Sequence, residues 1–261
     1  MKNREYWEKR AIQQDKKVQK DLKKIEKQLK KAFVEASKEI KKELAYFYAN
    51  ISSITEYEKY QLEATLTALN NVLTDLYNKE EEMLNERLIQ TYIDIYKDNV
   101  AALEIEAAFN TINENLIKEV VKTNWSGFTF SEIIWEKHLP QMKNDLKQIL
   151  KAGLIRGDSL QDMARELNNK LNTGYSNALR LVHTETCWIQ NQATIDSYKE
   201  ADVKEYEFMA FLDKKTSRQC RELDGKKFKV KEAMAGVNLP PLRSASEVQK
   251  LCSSYCRVGN L

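Results

Sequence analysis

Glycine and proline are scarce in this 261-residue chain, seven and three residues respectively, well below the roughly 12% that average usage of the two would give. Few turns can be built, so long uninterrupted helices are expected. No stretch approaches the roughly 20 apolar residues of a membrane span, and the opening MKNREYWEKR lacks the apolar run of a secretory signal. A cytosolic protein without membrane contact is the expectation. Four cysteines, Cys187, Cys220, Cys252 and Cys256, in a chain of this length without a secretory signal point to thiols or metal ligands before disulfides. No Gly-rich phosphate loop, H-E-x-x-H pair or G-x-S-x-G elbow occurs, so none of the reactions those motifs carry is indicated. Neither an enzyme nor a cofactor is expected.

What is present begins with a hydrophobic content of 42%, enough to bury a core in one large domain or two small ones. The net charge of +3 averages over two opposed blocks: residues 1–50 carry 15 Lys/Arg against 8 Asp/Glu, and residues 51–120 carry 5 against 14. Such polarity bears on association: the basic block suits an acidic partner or nucleic acid, and the acidic block repels nucleic acid. Two solvated helix faces account for it equally well.

From Trp7 to Ile51 neither Gly nor Pro occurs, and Val18, Leu22, Ile25, Leu29, Phe33, Ala36, Ile40, Leu44, Phe47 and Ile51 recur in 4-3-4 steps. This 11-residue period puts one narrow stripe on a nearly straight helix and differs from a leucine-zipper seam. At ~1.5 Å per residue the segment would measure about 65–70 Å, a rod expected to project or to dock on something large. Thr55 with Glu58 reads as the capping box of a second helix reaching about Asn78. Lys79 to Val121 reads as further helix, broken near Asn99 or Asn110.

Trp125-Ser126-Gly127-Phe128 reads as a loop before an amphipathic segment from Ile133 to Leu150, in which Pro140 is placed to cause a kink. Gly157-Asp158-Ser159 supplies a helix stop and an N-cap for residues 160–171. Asn172-Thr173-Gly174 reads as a turn, and Ser176 as the start of a helix to about Glu200. Alternation from Tyr206 to Leu212, then Asp224-Gly225 before Lys-Lys-Phe-Lys-Val, suggests a hairpin. The fold class is therefore mainly α, turning α+β at the C-terminal end: a long N-terminal helix, a helical bundle and a small β-hairpin element.

Within R-L-V-H-T-E-T-C-W-I-Q-N, Arg180, Thr184, Cys187 and Asn191 share one helical stripe, flanked by His183 and Glu185. A thiol enzyme would use His183 to lower the pKa of Cys187, but the orienting group and oxyanion site it needs are not evident mid-helix. A polar stripe bonded to the neighbouring hairpin is the stronger reading. Cys220, Cys252 and Cys256 with a histidine are weak candidates for a zinc site, since Ser217 stands where Cys220 would need a close partner. Glu80-Glu81-Glu82 reads as solvated helix surface. Lys16, Lys17, Lys20, Lys23, Lys24, Lys27, Lys30 and Lys31 are candidate DNA contacts able to neutralise phosphates without reading sequence, although interspersed acids and absent stacking aromatics weigh against them.

Arg180, His183-Thr184-Glu185-Thr186, Asn191, Asp213-x-x-Thr216, Cys220 and Leu223-Asp224-Gly225-Lys226-x-Phe228 together resemble the phage head-morphogenesis module. This is the family of Mu F-like minor capsid proteins of tailed bacteriophages, and the resemblance is specific over roughly 140–241. Tyr6-Trp7-Glu8-Lys9-Arg10, ahead of a charged long helix, resembles the start of minor head proteins of Gram-positive phages. The resemblance implies a few-copy virion component at the portal vertex, acting in head assembly or genome delivery, with portal, scaffold or major capsid protein as partners. Its implied locations are the host cytoplasm during assembly and then the capsid interior or portal vertex.

The resemblance implies no catalysis; the toxin or transferase domains that follow the module in some members are expected to need more chain than this. A DNA-binding ejection protein that escorts double-stranded DNA through the basic helix is the alternative, and a thiol-dependent enzyme comes third. Two departures put a family metal site in doubt. Ser217 stands where members commonly have a second cysteine, and Pro240-Pro241-Leu242 leads into Arg243 and a Ser-rich tail in place of P-x-H-x-x-C-R. The expected organisation is a charge-polarised region at 1–124, the module at 125–241, and an atypical tail at 242–261 without stable structure.

Overall fold

The computed structural model describes the backbone of residues 4–50, 56–103, 114–210, 216–242 and 256–260, with side chains over 5–49, 61–103, 115–210 and 216–242. Asp213, Cys252, Ile51 and the Thr55/Glu58 pair therefore lie outside the described residues or side chains, as does the side chain of Cys256. The fold is mainly helical with two small sheets. Helices α1 (Arg4–Asn50), α2 (Glu56–Ala102) and α3 (Glu114–Val121) precede α4 (Phe130–Glu132), a π-helical turn (Ile133–His138), α5 (Leu139–Arg156) and α6 (Leu160–Glu200). Then come β1 (Glu205–Ala210), α7 (Arg218–Leu223), β2 (Lys227–Lys229), a 3-10 turn (Val230–Glu232), β3 (Ala235–Gly236), β4 (Leu239–Leu242) and β5 (Cys256–Asn260).

Two compact units result, interleaved along the chain. One comprises residues 1–24, 84–129 and 181–261, the other residues 25–83 and 130–180. Both draw segments from either side of residue 124. The stripe of α1 is buried from Val18 to Phe47, with Leu29 and Leu44 at 0% exposure. Each buried leucine contributes roughly 1.5–3 kcal/mol, so α1 is a structural element of both units.

The first unit is organised about the end of α6. From Leu181 to Tyr198 that helix is buried almost all round, the pattern of a central helix. Tyr198 meets Trp7 edge-on, ring centroids 6.4 Å apart. It packs with Ile195, Tyr206, Val230 and Leu239, while Phe208, Cys220 and Leu242 form a neighbouring cluster. A polar relay crosses the same unit: Gln14 Nε2 donates to Asn99 Oδ1 at 2.9 Å, Asn99 Nδ2 donates to Thr194 Oγ1 at 3.2 Å, and Thr194 donates to the Gln190 carbonyl at 2.8 Å. The two charge blocks also pair with each other. Arg87 lies 3.3 Å from Asp21, Lys17 lies 3.5 Å from Asp94, and Arg10 donates to the Asp98 carbonyl.

The main sheet has the order β2-β1-β5, both pairings antiparallel, with Tyr206 opposite Phe228 and Phe208 opposite Val258. The expected antiparallel pairing of the two strands is present, with α7 in the connection between them and Asp224-Gly225 forming the turn after it. Asp224 Oδ1 accepts from Ala210 N at 2.9 Å, and Gly225, at φ +75°, donates to the Phe208 carbonyl at 2.8 Å. Left-handed φ suits glycine there. The tail differs from expectation in one respect: its Cys256–Asn260 segment pairs with β1 along the edge opposite β2, supplying the backbone partners an open edge lacks.

In the second unit Phe33 meets Tyr77 and Tyr175 edge-on, at 6.4 and 5.7 Å. The turn expected at Asn172-Thr173-Gly174 is absent, since α6 runs unbroken from Leu160 to Glu200. Gly174 serves packing: a Cβ there would lie 2.6 Å from Met142 Cε and 3.2 Å from Phe33 Cε1. The stop at Gly157 is present, with φ +72°, and Ser159 Oγ accepts from Asp162 N at 3.2 Å to cap α6.

Pro140 sits at the start of α5, directly after the π-helical turn. Proline cannot donate to the carbonyl four residues back and crowds it, and the chain widens there to an i→i+5 bond from Leu139 N to Ile134 O. Glu80 corrects another expectation. Far from solvated surface, it is 1% exposed, with Oε1 at 3.8 Å from His138 Nδ1. Glu81 accepts from Ser131 and, at 2.7 Å, from Trp135 Nε1. Helices packed on more than one side of α2 bury positions that a single-face reading assigns to water.

Candidate functional site

The residues singled out by sequence fall into three settings. On α6, Arg180 is exposed and His183 half-buried, while Thr184, Glu185 and Asn191 are buried. Asn191 Nδ2 donates to the Cys187 carbonyl at 2.8 Å and lies 3.7 Å from Cys187 Sγ. Ser197 likewise donates to the Thr194 carbonyl at 2.6 Å. A central helix surrounded by protein must satisfy its polar side chains locally, and these do so on their own backbone.

Glu185 is the exception. It is 2% exposed, Oε2 accepts from Trp125 Nε1 at 3.0 Å, and Oε1 has no hydrogen-bond partner among the described residues. Burial pushes its carboxyl up to about 7, against the opposing pull of the Trp125 hydrogen bond. Trp125 reaches it from the loop after α3 and lies flat on Trp188, ring centroids 5.9 Å apart and planes 9° apart. Thr186 Oγ1, on the adjoining face, is also buried without a partner among the described residues. Chemically the group can exchange one proton near neutrality inside an aromatic-lined interior. Sequence reasoning missed the Trp125–Glu185 pair because sixty positions separate its members; the available signal was a carboxyl on the apolar side of a helix, where an N–H donor is required. Burial pushes Glu80 upward in the same way, with His138 pulling it back.

The second setting is the β region. Ser217 caps α7 by accepting from Cys220 N at 3.2 Å. Cys220 is buried at 1% exposure beside Phe208 and Leu242. Thr216 is buried, and its carbonyl accepts from Arg221 Nε at 3.1 Å. Asp224 and Gly225 tie that turn to β1. Among the described residues no group of three or more His, Cys, Asp or Glu is placed to hold a metal ion.

The third setting is the exposed side of α1. Of the eight lysines, Lys17 pairs with Asp94 and Asp98, Lys24 with Asp21 at 2.8 Å and Lys31 with Glu35 at 3.8 Å. Lys16, Lys20, Lys23, Lys27 and Lys30 are exposed and make no ion pair among the described residues. No helix of the described chain is long and apolar enough to cross a membrane.

An α6 core helix followed by this small sheet and its Asp-Gly turn defines a helical module with a β appendage, in which Asp224, Gly225 and Cys220 tie the turn and α7 to β1. Residues 144–245 match the family model described as phage Mu protein F like protein, and the chain carries a Mu F-like domain there. The chain is also 26% identical over 206 residues to the NAD(+)--arginine ADP-ribosyltransferase EFV of Enterococcus faecalis (strain ATCC 700802 / V583), covering 74% of this chain and 42% of that protein. It thus spans less than half the length of this relative. No solved structure matches.

Proposed function

We propose that this chain is a minor head protein that acts at the portal vertex during head assembly or genome delivery, and that it does so by binding and not by catalysis. The Mu F-like match over 144–245 carries the reading. The motif geometry supports it: Asp224 and Cys220 tie the α7 region to β1, while Asn191 and Ser217 bond within α6 and α7. Residues used in this way specify a module's shape, and a shape is what a docking component of an assembly contributes. The transferase activity named for the Enterococcus relative is not carried over, because less than half of that protein is matched.

The test is co-expression with the portal protein of the same phage, followed by affinity capture and a mass-spectrometric inventory of procapsids and virions. Capture with portal, and presence in particles at a few copies, are expected. Absence from both procapsids and virions would overturn the reading.

A further inference from the structure

The exposed lysines of α1 are not scattered. Taken at ~100° per residue, Lys16, Lys20, Lys23, Lys27 and Lys30 fall within one sector about 80° wide, and Lys38 and Lys41 continue the same row beyond Val34. All seven are exposed and free of ion pairs among the described residues. Between Lys16 and Lys41 every acid of the helix lies outside the sector. From Lys16 onward the lysines that do have carboxylate partners, Lys17, Lys24, Lys31 and Lys42, lie on the adjacent face, where Asp94, Asp21, Glu35 and Glu39 neutralise them; nearer the N-terminus Lys9 pairs with Glu5. One face of α1 is thus internally compensated and the next is an uncompensated line of cations. The line begins one helical face away from the buried stripe, so packing of α1 in the fold leaves it uncovered.

We propose that this row is a docking surface for the phosphate backbone of double-stranded DNA. From Lys16 to Lys41 it spans about 37 Å at ~1.5 Å per residue, close to the ~34–36 Å of one duplex turn. Successive lysines stand about 5 Å apart along the axis, save for a gap of about 12 Å between Lys30 and Lys38, and their flexible stems let each seek a phosphate on a strand whose charges recur every ~3.4 Å. The row contains no Arg, Asn, Gln or aromatic residue, the types that read base edges or stack on bases; it recognises charge and not sequence. A folded acidic protein would be selected by apolar anchors at the centre of an interface. Here only Val34, 45% exposed, interrupts the lysines. The surface is separate from the Mu F-like segment and stands whether or not the portal-vertex reading holds.

The experiment is fluorescence anisotropy of the full chain with two unrelated 30-base-pair duplexes, titrated from about 50 to 300 mM salt, with poly-glutamate of matched length as competitor. Equal binding of both duplexes is expected, with a log–log salt slope between about −4 and −6, given a slope of about −0.9 per neutralised phosphate. Changing Lys20, Lys23 and Lys27 together to Gln should weaken binding at least tenfold and make the slope shallower by about 3. Changing Lys17, Lys24 and Lys31 to Gln removes the same charge from the compensated face and should change affinity less than threefold. Circular dichroism confirms that both exposed-site variants keep their helices. No binding at 50 mM salt, equal losses from the two triple changes, or preferred binding of poly-glutamate would each overturn the proposal.

Discussion

Trp125 holds Glu185 by one hydrogen bond, Nε1 to Oε2 at 3.0 Å, while its ring covers Trp188. The second carboxyl oxygen has no partner among the described residues. The cost of ionising this buried group is reduced by a single donor, which makes the pair sensitive to both pH and substitution.

Glu185 has an ordinary value of 4.5 and is raised to about 7 in the folded chain. The folded state therefore holds a proton that the unfolded state has released between those values. Stability is full below about pH 4.5 and falls as pH rises through about 7, by on the order of 3 kcal/mol from this group. Glu185→Gln should remove that part of the decline, leaving the variant more stable than the parent at pH 8 and similar at pH 5. Thermal unfolding at both pH values checks it; a variant less stable at pH 8 would count against the assignment.

Trp125→Phe keeps an aromatic ring over Trp188 but deletes the donor to Glu185. It should cost about 1–3 kcal/mol at pH 8 and push the Glu185 carboxyl further up, since that hydrogen bond is what pulls it down. Combined with Glu185→Gln, the loss should shrink, because the donor then has no charge to stabilise. A double-mutant cycle in denaturant reads this coupling.

Gly153→Ala and Gly174→Ala should differ in cost. A Cβ at Gly153 would stand 2.3 Å from Met163 Sδ and 2.7 Å from its Cγ, inside the side chain; at Gly174 the near atom is the terminal methyl of Met142. The first should destabilise by about 1–3 kcal/mol through overpacking. The second should cost less, because the Met142 methyl can swing aside and alanine recovers up to ~1 kcal/mol of helix propensity. Met163→Ala in the Gly153→Ala background should restore part of the loss, as urea midpoints would show.

Asp21 behaves oppositely to Glu185. Burial raises its carboxyl, but the Lys24 hydrogen bond and the Arg87 charge outweigh that and leave it lowered. Its contribution is present above the ordinary carboxylate range and is lost as pH falls through the folded value. Asp21→Asn should cost about 1–3 kcal/mol at pH 7 by leaving the largely buried Arg87 guanidinium without its partner, with the gap to the parent closing below pH 3.

The helical reading of α1, the stop at Gly157 and the cap at Ser159 were legible in sequence because each is local: a period, a left-handed glycine, a side-chain oxygen three residues ahead of its donor. The β appendage was legible in type, through the alternation from Tyr206. Gly174 was not, because the residue type that marks turns was used there for close approach between helices, and only the positions of Met142 and Phe33 reveal that. Glu80 was misplaced for a related reason: a run of three carboxyls reads as surface unless the second and third packing partners of α2 are known. Among site residues, Glu185 was read from the motif, but its partner Trp125 belongs to a loop with no sequence pattern linking them. The lysine row was half legible; its true members separate from their neighbours only once Asp94 and Asp98 are seen to occupy Lys17.

The relay from Gln14 through Asn99 to Thr194 has a consequence for how the first unit can assemble. Helices joined through leucines alone can slide by a turn and find nearly equivalent contacts. Two amides and a hydroxyl meeting at one level cannot, since displacement by one turn would strand buried donors and acceptors. The relay acts as a vernier mark on α1, α2 and α6, admitting one axial alignment of the three.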